Sequence, residues 1–483
     1  MLLAATVVLI AAGIVGLLTR SDGPPAGVPV VPTPPGPVDD EFEPLADPYA
    51  WDPERADEFV RRAAAGNSHL LYALSPGGAV ASAERTARWR PLVERAAEQA
   101  GVDADTLEAL VFLESAGRPD ARAPGGLEAA VGLTQILAET ASNLLGMQVD
   151  VAASERYTRL LARAERRGRE RRARRLRRAR ARVDQRFDPE RALAGTARYL
   201  TIAADRLGRE DLAFVSYHMG IGNLEDVLAA YGQGNVPYAQ VYFDSTPARH
   251  RRAYRRLAAL GDDSSNYWWK VLAAREIMRL WREDQDRLYR LAALHTSKAS
   301  AEEVLHPPDE TDVYATPEDL AQAWDDGDIV PFPQAETVTG LQRDGRMGEL
   351  ARRIDQPVER YRGLRAPALA MALYIGAQVR ELSGQSPLVV TSTVRDGAYQ
   401  RALADGNREA TRRYSLHTTG WAFDVLRDYR SRRQALAFQF VLDRLRSLNA
   451  IAWVREPRAI HITAARDAEV LLPLLDRVNI DAP

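Results

Sequence analysis

The stretch DTLEALVFLESAGRPDARAPGGLEAAVGLTQI, residues 105–136, decides how the first half of this 483-residue chain folds. Leu107, Leu110 and Val111 fall at positions i, i+3 and i+4 of one helix face. Glu114 follows at i+7, so a carboxyl group ends an apolar stripe. Burial there would raise the pKa of Glu114, as a general acid needs near neutral pH. A glutamate that points into solvent or pairs with an arginine is the alternative, and periodicity alone favours that alternative.

Glu114 and Ser115 open the first of three sequence blocks that resemble lytic transglycosylases of the lysozyme-like superfamily. Members of that family carry a Glu-Ser pair at the end of a helix. A Gly-Leu-Met-Gln-Ile-like segment follows in the family and is GLTQI at residues 132–136 here. The third block, an Ala-Tyr-Asn-Ala-Gly-like segment, is SYHMGIGN at residues 216–223. The resemblance covers roughly residues 85–290 and implies an all-α, lysozyme-like domain.

The same resemblance implies a specific chemistry for Glu114. In the family, one glutamate protonates the glycosidic oxygen and then, as a carboxylate, takes the proton of the sugar's own 6-hydroxyl group. That intramolecular attack yields a 1,6-anhydro sugar, and proximity lets it compete with water. The chain would therefore be a peptidoglycan lytic transglycosylase that cleaves between N-acetylmuramic acid and N-acetylglucosamine. This domain would need no cofactor.

Several residues near Glu114 receive roles from this resemblance. Tyr217 matches the family's tyrosine and would hydrogen-bond near the acid or the bound sugar. The alternative is a core tyrosine whose hydroxyl group is satisfied. His218 stands where the family usually has asparagine, and Thr134 where it usually has methionine. The expected substrate-binding residues of this domain are Ser115, Gln135, His218 and Asn223.

Helical patterning extends well beyond the three blocks. Apolar spacing of three and four predicts helices over residues 86–100 and 105–116. The sequence Phe187-Asp188-Pro189 predicts the start of another helix, and the family has a similar Asp-Pro opening there. The first half of the chain should therefore be almost wholly helical.

The N-terminal residues indicate a protein of the cell envelope that faces the periplasm or cell wall. Residues 2–18 are apolar without interruption, about the minimum needed to span a membrane as a helix. We interpret them as an uncleaved signal anchor, with a cleaved signal peptide as the alternative. Prolines crowd residues 21–48, so this segment predicts an extended tether. The absence of cysteine excludes disulfides and thiolate zinc sites, and it fits this compartment.

Residues 151–186 form an arginine-rich insertion in the predicted helical domain. Arginine, alanine and leucine favour helix, so the segment predicts a long exposed helix or a helical hairpin around Gly168. A solvated helical insertion is the leading interpretation, and contact with an anionic envelope polymer comes second. Nucleic acid comes last, because aromatic residues for base stacking are nearly absent and the compartment lacks nucleic acid. No nucleic-acid partner is therefore expected.

The motif SLHTTGWAFD, residues 415–424, resembles the zinc D,D-carboxypeptidases that act on peptidoglycan. In that family a histidine and an aspartate spaced like His417 and Asp424 bind zinc, and a later histidine, here His461, completes the three protein ligands. Arg395 matches the family's arginine, which holds the substrate or the transition-state anion. Two histidines and a carboxylate with an open fourth position suit a hydrolytic zinc ion. The resemblance implies an α+β domain directed at the stem peptide.

One position in this domain departs from the family pattern. The family places a catalytic glutamate three residues before the last histidine, and Arg458 occupies that position here. Glu456, two residues earlier, is the candidate base. A domain that binds zinc or stem peptide without cutting it is an alternative, and so is a pair of histidines that merely pack in a core. Peptidase activity is therefore left open.

Two sequence resemblances point to the same polymer, peptidoglycan. The leading hypothesis is an envelope-anchored lytic enzyme with a glycan-cleaving domain and a peptide-directed domain. The alternatives are a catalytically impaired wall-binding protein and a lysozyme-type muramidase that lets water attack. The predicted organisation is a signal segment (1–20), a tether (21–48), a lysozyme-like domain (49–295), a connector (296–338) and a carboxypeptidase-like domain (339–483).

Overall fold

The chain is mostly helical, and it carries a small mixed sheet in its C-terminal part. The computed structural model describes residues 47–298, 300–333, 340–406 and 414–477. Two compact units emerge, of which the first is Leu70–Ala292. The second comprises residues 47–69 together with residues 293–477. Residues 47–69 thus group with the C-terminal unit, whereas the sequence predicted residues 49–69 as part of the helical domain.

Helices account for the first unit. In chain order the helices through Ser297 are α1 (Ala56–Gly66), α2 (His69–Leu74), α3 (Ala79–Ala87), α4 (Arg90–Ala100), α5 (Ala104–Ser115), α6 (Val151–Arg166), α7 (Glu170–Val183), α8 (Pro189–Leu207), α9 (Glu210–Met219), α10 (Ile221–Tyr231), α11 (Tyr238–Asp244), α12 (Arg251–Ala259), α13 (Tyr267–Glu283) and α14 (Gln285–Ser297). Of these, α1 belongs to the second unit.

Helix α5 is the central helix of the first unit. Its amino end is capped by Asp103, whose carboxylate accepts a hydrogen bond from the main-chain N–H of Thr106. Apolar residues are buried on all of its faces, and α3, α4 and α13 pack around it. Its one fully buried carboxylate, that of Glu108, contacts Arg90 and Arg282. A helix whose apolar residues are buried on all faces lies in the interior of its unit.

Two local predictions can be compared with the helix bounds. The helix expected over residues 86–100 is wrong as a single element, because α3 ends at Ala87 and α4 begins at Arg90. Pro91 lies in the first turn of α4, where its missing N–H group costs no helical hydrogen bond. The predicted helix after Asp188 is confirmed as α8, whose first amides are capped by the Asp188 carboxylate.

The arginine-rich insertion is a helical hairpin. Helices α6 and α7 pack against each other and are joined at Gly168, whose φ of 63° lies in the left-handed region. A small apolar cluster of Leu161, Ala164 and Ala173 holds the two helices together. Most of the arginines on the outer faces are exposed. The hairpin alternative is thereby confirmed over the single long helix.

The second unit is built on a five-stranded mixed sheet with strand order β2-β4-β5-β7-β6. Strands β2 and β4 are parallel and the other pairs are antiparallel. A two-stranded ribbon of β1 and β3 accompanies it. Its elements are α15 (Glu302–Leu305), α16 (Pro317–Asp325), β1 (Ile329–Pro331), β2 (Leu341–Arg343), β3 (Gly363–Arg365), α17 (Ala366–Ser383), β4 (Leu388–Ser392), α18 (Gly397–Gly406), β5 (Ala422–Leu426), α19 (Arg432–Ser447), β6 (Ile451–Arg455), β7 (Ala459–Ala464) and α20 (Pro473–Arg477).

Helix α1 joins the second unit by close packing against α19. Gly66 approaches the main-chain oxygen of Arg446 so closely that any side chain there would collide with it. The Arg62 guanidinium donates a 2.7 Å hydrogen bond to the main-chain oxygen of Leu448. Sequence periodicity does not reveal such long-range contacts. This explains why residues 49–69 were assigned to the neighbouring helical domain.

The membrane segment expected at residues 2–18 lies outside the described residues, as does the tether up to residue 46. Across the part of the chain that the structure describes, no helix has the length and apolar character to cross a membrane. The signal anchor therefore stays a prediction from sequence. The connector, residues 296–338, packs into the structure in its described part, where Val330 and Phe332 are buried.

Candidate active site and metal centre

Glu114 lies in the last turn of α5. The residue is partly exposed, whereas residues 106–113 before it are buried. Burial and, to a smaller extent, the negative charge of Asp263 raise the pKa of Glu114 to about 8. The Tyr267 hydroxyl donates a 2.6 Å hydrogen bond to Glu114 Oε1, and this hydrogen bond lowers the pKa of Glu114. The result is a carboxyl that is largely protonated at neutral pH and can donate its proton.

Tyr267 is a functional residue that the sequence reasoning missed. It is the first residue of α13 and is buried, and its ring stacks on His218 with the ring centres 5.0 Å apart. Proximity to the Glu114 charge adds to burial in raising the pKa of Tyr267. The hydroxyl therefore stays protonated and serves as a fixed donor to the acid. The only available sequence signal was the aromatic run YWW at residues 267–269.

Tyr217 links the second and third motif blocks. Its hydroxyl donates a 2.7 Å hydrogen bond to the main-chain oxygen of Thr134 and lies 3.2 Å from Thr196 Oγ1. Burial raises the pKa of Tyr217, and the Glu114 charge adds to that effect. Tyr217 is therefore a core tyrosine whose hydroxyl group has hydrogen-bond partners within the protein. It also lies near the Glu114 carboxyl group, so the two interpretations of this residue are compatible.

The loop that carries the GLTQI block is held by a buried arginine. Gly132 has φ 84° and lies against the main-chain oxygen of Arg186, so a side chain at this position would collide with that oxygen. Arg186 and Asp184 form an ion pair with no solvent exposure on either side chain. The remaining guanidinium hydrogen bonds go to the main-chain oxygens of Leu127, Ala129 and Ile136. The end of the arginine-rich segment is thus part of the core that shapes the site.

Three of the expected substrate-binding residues form hydrogen bonds with nearby main-chain groups. The side chains of Ser115, Gln135 and Asn223 each donate to a main-chain carbonyl three or four residues earlier in the chain. Ser115 is buried, and Gln135 adopts φ 56°, in the left-handed region. Local hydrogen bonding of this kind shapes a turn or a helix end. Sugar contacts by these side chains stay a prediction.

His218, the fourth expected substrate residue, lies at the acid through its stack on Tyr267. Its Nδ1 is 2.9 Å from Ser264 Oγ. One ligand atom from each of His218, Asp262 and Asp263 lies within 4.8 Å of the others. Asp263 also forms an ion pair with Lys270. His218 is therefore placed beside polar groups next to Glu114, where a substrate contact is feasible.

The sheet of the second unit brings the predicted metal ligands together. Asp424 on β5 and His461 on β7 are directly paired in the antiparallel register, and Ser392 on β4 pairs with Asp424 from the other side. Paired residues on adjacent strands have their side chains about 5 Å apart on the same face. His417 arrives from the short helical turn that precedes β5. Strand register thus explains how residues far apart in sequence meet.

His417, Asp424 and His461 form a buried group that could hold a metal ion, with one ligand atom from each within 4.8 Å of the others. His417 Nδ1 donates a 2.7 Å hydrogen bond to the main-chain oxygen of Thr393, which leaves Nε2 free as a ligand. That Nε2 lies 3.2 Å from Asp424 Oδ2. Burial lowers the pKa of His417 to about 4, so its ring is neutral, as a ligand must be. The donor set fits a divalent metal.

Arg395 lies at this group, as the resemblance implied. Its Nη2 is 3.1 Å from Asp424 Oδ2, and its Nη1 donates a 3.0 Å hydrogen bond to Gln400 Oε1. Glu456 lies in the turn between β6 and β7, where its main-chain N–H bonds Ala459. Glu456 is not among the residues that the cluster of possible ligand atoms brings together. Its role as a base stays a prediction.

Glu302 is a second residue that the sequence reasoning missed. It begins α15, in a segment that the sequence assigned to the connector, and its Oε2 lies 3.1 Å from His461 Nε2. Arg458, which occupies the family's glutamate position, is exposed in the β6–β7 turn. No sequence spacing links the acidic pair Glu302-Glu303 to a histidine far downstream, so the sequence carries no signal for this contact.

No protein-family model matches the chain, and no curated protein matches it. The resemblances to lytic transglycosylases and zinc carboxypeptidases therefore rest on the quoted motifs. The geometry adds two independent sites, a raised-pKa carboxyl in the first unit and a two-histidine, one-carboxylate group in the second. These two sites are the structural basis for the proposed function.

Proposed function

We propose that this protein is a peptidoglycan lytic transglycosylase with a lysozyme-like first unit. The proposal rests on the carboxyl group of Glu114, whose pKa is raised to about 8 and which accepts a hydrogen bond from Tyr267. A group with this pKa is protonated often enough at neutral pH to act as an acid, and its conjugate base is strong enough to act as a base. The three motif blocks meet around it, which supports a glycan as the substrate.

The proposed reaction uses Glu114 twice. The carboxyl first gives its proton to the glycosidic oxygen as the bond from that oxygen to the anomeric carbon breaks. The sugar's 6-hydroxyl oxygen then bonds to the same carbon, and its proton returns to the Glu114 carboxylate. Tyr267 donates to the carboxylate while it is charged, which stabilises the intermediate state. Atoms balance without water, and the product carries a 1,6-anhydro end.

The second unit is proposed to bind zinc and to be directed at the stem peptide. His417, Asp424 and His461 would hold the ion, and three protein ligands leave a position for water or substrate. A zinc ion held in this way supplies Lewis acidity to a carbonyl group or to water. Arg395 lies beside the group and would attract a peptide carboxylate. Glu456 is retained as the candidate base for a peptidase activity.

The proposed location is the cell envelope, with the chain anchored through residues 2–18 and facing the periplasm or cell wall. The arginine hairpin of α6 and α7 supports a contact with an anionic envelope polymer, because its outer faces carry many exposed arginines and few carboxylates. A solvated hairpin without a partner is the simpler alternative. Peptidoglycan is the partner that both units share.

A lysozyme-type muramidase is the second candidate function, and Asp263 is the observation that favours it. Its charge reaches Glu114 strongly enough to raise the pKa of that residue, so a second carboxylate is near the acid. Many glycosidases use such a pair, with the second carboxylate acting as nucleophile or base. The ion pair with Lys270 offsets the charge of Asp263 and weakens this alternative. A catalytically impaired wall-binding protein is the third.

Digestion of purified sacculi followed by mass spectrometry of the released fragments tests these proposals. We expect anhydro-ended fragments from the wild type and none from Glu114→Gln, which cannot donate a proton. Glu128→Gln is the matched control, because Glu128 is an exposed loop carboxylate near the second block. Reducing ends would support the muramidase, and an absence of fragments from the wild type would support the wall-binding protein. Full cleavage by Glu114→Gln would refute the assignment of the acid.

A further inference from the structure

Glu302 reaches the candidate metal centre from outside the motif that defines it. The residue lies on α15 and is buried, with 6% of its surface exposed. Its Oε2 is 3.1 Å from Nε2 of His461. No feature of the carboxypeptidase-like motif predicts a carboxylate at this position. A buried carboxylate against a ligand histidine therefore needs an explanation.

The two nitrogens of the His461 ring face different carboxylates. Nδ1 lies 2.9 Å from Asp424 Oδ1, on the side of the ring where His417 and Asp424 converge. Nε2 faces Glu302 on the opposite side. At this centre, the described ligand atoms that could share one ion come from His417, Asp424 and His461, and Glu302 is not in that group. Asp424 thus lies among the possible metal ligands, on the Nδ1 side of the His461 ring, and Glu302 lies outside them, on the Nε2 side.

Glu302 is itself held in place by two further contacts. Lys298 Nζ lies 2.9 Å from Oε1, so the oxygen that faces away from His461 is paired. The Thr463 hydroxyl, two residues along β7 from His461, lies 3.4 Å from Oε2. The carboxylate is therefore oriented before any ligand arrives. A rigid acceptor of this kind selects the ring orientation of the histidine it contacts.

We propose that Glu302 is the positioning residue that turns Nδ1 of His461 toward the metal by accepting a hydrogen bond from Nε2–H. The inference rests on the proposed metal site and extends it to a residue outside the motif. Metal-binding histidines commonly donate their second ring nitrogen to a carboxylate, which fixes the tautomer and the ring plane. Glu302 supplies that carboxylate from a separate helix. The metal centre would then depend on the docking of α15 against the sheet.

Chelator-competition titration with zinc on the full-length protein tests this role directly. We expect Glu302→Ala to weaken zinc binding by about 10- to 100-fold, the usual effect of removing such a partner. Glu302→Gln should lose only a small part of the affinity, because its amide oxygen still accepts the Nε2–H bond. Glu303→Gln is the matched control, since Glu303 is equally buried and pairs with the same lysine at 3.2 Å. That control should bind zinc like the wild type.

Nuclear magnetic resonance of isotope-labelled histidine in the zinc-loaded protein provides a second readout that needs no activity. The His461 ring of the wild type should face the metal with Nδ1 and carry its proton on Nε2, and Glu302→Ala should lose that preference. Unchanged zinc affinity and an unchanged ring signal in Glu302→Ala would overturn the proposal. Equal losses in Glu302→Ala and Glu302→Gln would also overturn it, because they would make Glu302 a direct ligand. A wild type that binds no zinc would refute both this inference and the proposed metal site.

Discussion

Replacing Tyr267 by phenylalanine removes one hydroxyl group and should weaken Glu114 as an acid. The hydroxyl donates a 2.6 Å hydrogen bond to Glu114 Oε1, and it favours the charged carboxylate. Hydrogen bonds to charged groups contribute about 1.5–3 kcal/mol. Such a loss corresponds to about 10- to 150-fold in the rate of a step that forms the carboxylate. It also corresponds to a rise of about one to two units in the pKa of Glu114.

The assay is the initial rate of fragment release from saturating sacculi, measured across a range of pH. We expect Tyr267→Phe to lower the rate at its optimum and to move the alkaline limb of the profile to higher pH. Tyr231→Phe is the matched control, because Tyr231 is also buried and donates a 2.8 Å hydrogen bond to the carboxylate of Asp244, away from the site. Tyr231→Phe should lose about as much stability as Tyr267→Phe and should release fragments at the wild-type rate. A Tyr267→Phe protein with the wild-type rate and profile would refute the role of the hydrogen bond.

Three further predictions address the remaining groups. Asp263→Asn removes a charge that raises the pKa of Glu114, so the alkaline limb of kcat/KM should move to lower pH; a limb that stays in place would contradict the coupling. His417→Ala should abolish zinc binding and leave glycan cleavage at the wild-type rate, as measured by metal analysis and fragment release. Arg171→Glu together with Arg172→Glu should weaken binding to sacculi that keep their anionic polymers and should reduce the salt dependence of that binding. Binding to sacculi stripped of these polymers should not change. Equal binding to both preparations would leave the hairpin as a solvated insertion.

The local elements were predictable because their signals lie within a few residues of one another. The spacing of Leu107, Leu110 and Val111 indicated α5, and Asp188 before a proline indicated the start of α8. Glycine at 168 between two runs of helix formers indicated a turn, and the structure has a hairpin there. Short-range spacing and capping determine such features, so the sequence was enough.

The partners of the site residues were not predictable, because tertiary packing selects them. Tyr267 meets Glu114 across 153 residues of chain, and no periodicity connects the two positions. Glu302 meets His461 in the same way, from a segment that looked like a connector. Arg186 belongs to a charged run that suggested exposure to solvent, yet it is fully buried and holds the loop that carries the GLTQI block. A single sequence identifies candidate chemistry more readily than the groups that tune it.

Motif matches alone do not distinguish residues that touch a substrate from residues that shape the backbone. Ser115 and Asn223 match family positions, but their side chains bond nearby carbonyls of the main chain. Tyr217 bonds the main chain of Thr134 and thereby joins two blocks that are distant in sequence. These residues shape the backbone around the acid. Their substitution should therefore affect the geometry of the site together with its stability.

In the proposed reaction one glutamate acts as acid and then as base, and the sugar's own hydroxyl group is the attacking nucleophile. Digestion of sacculi in heavy-oxygen water, followed at once by mass spectrometry, distinguishes this reaction from hydrolysis. We expect anhydro-ended fragments that contain no heavy oxygen, because no water enters the product. Fragments with reducing ends that carry heavy oxygen from the solvent would contradict the proposed reaction and would establish hydrolysis.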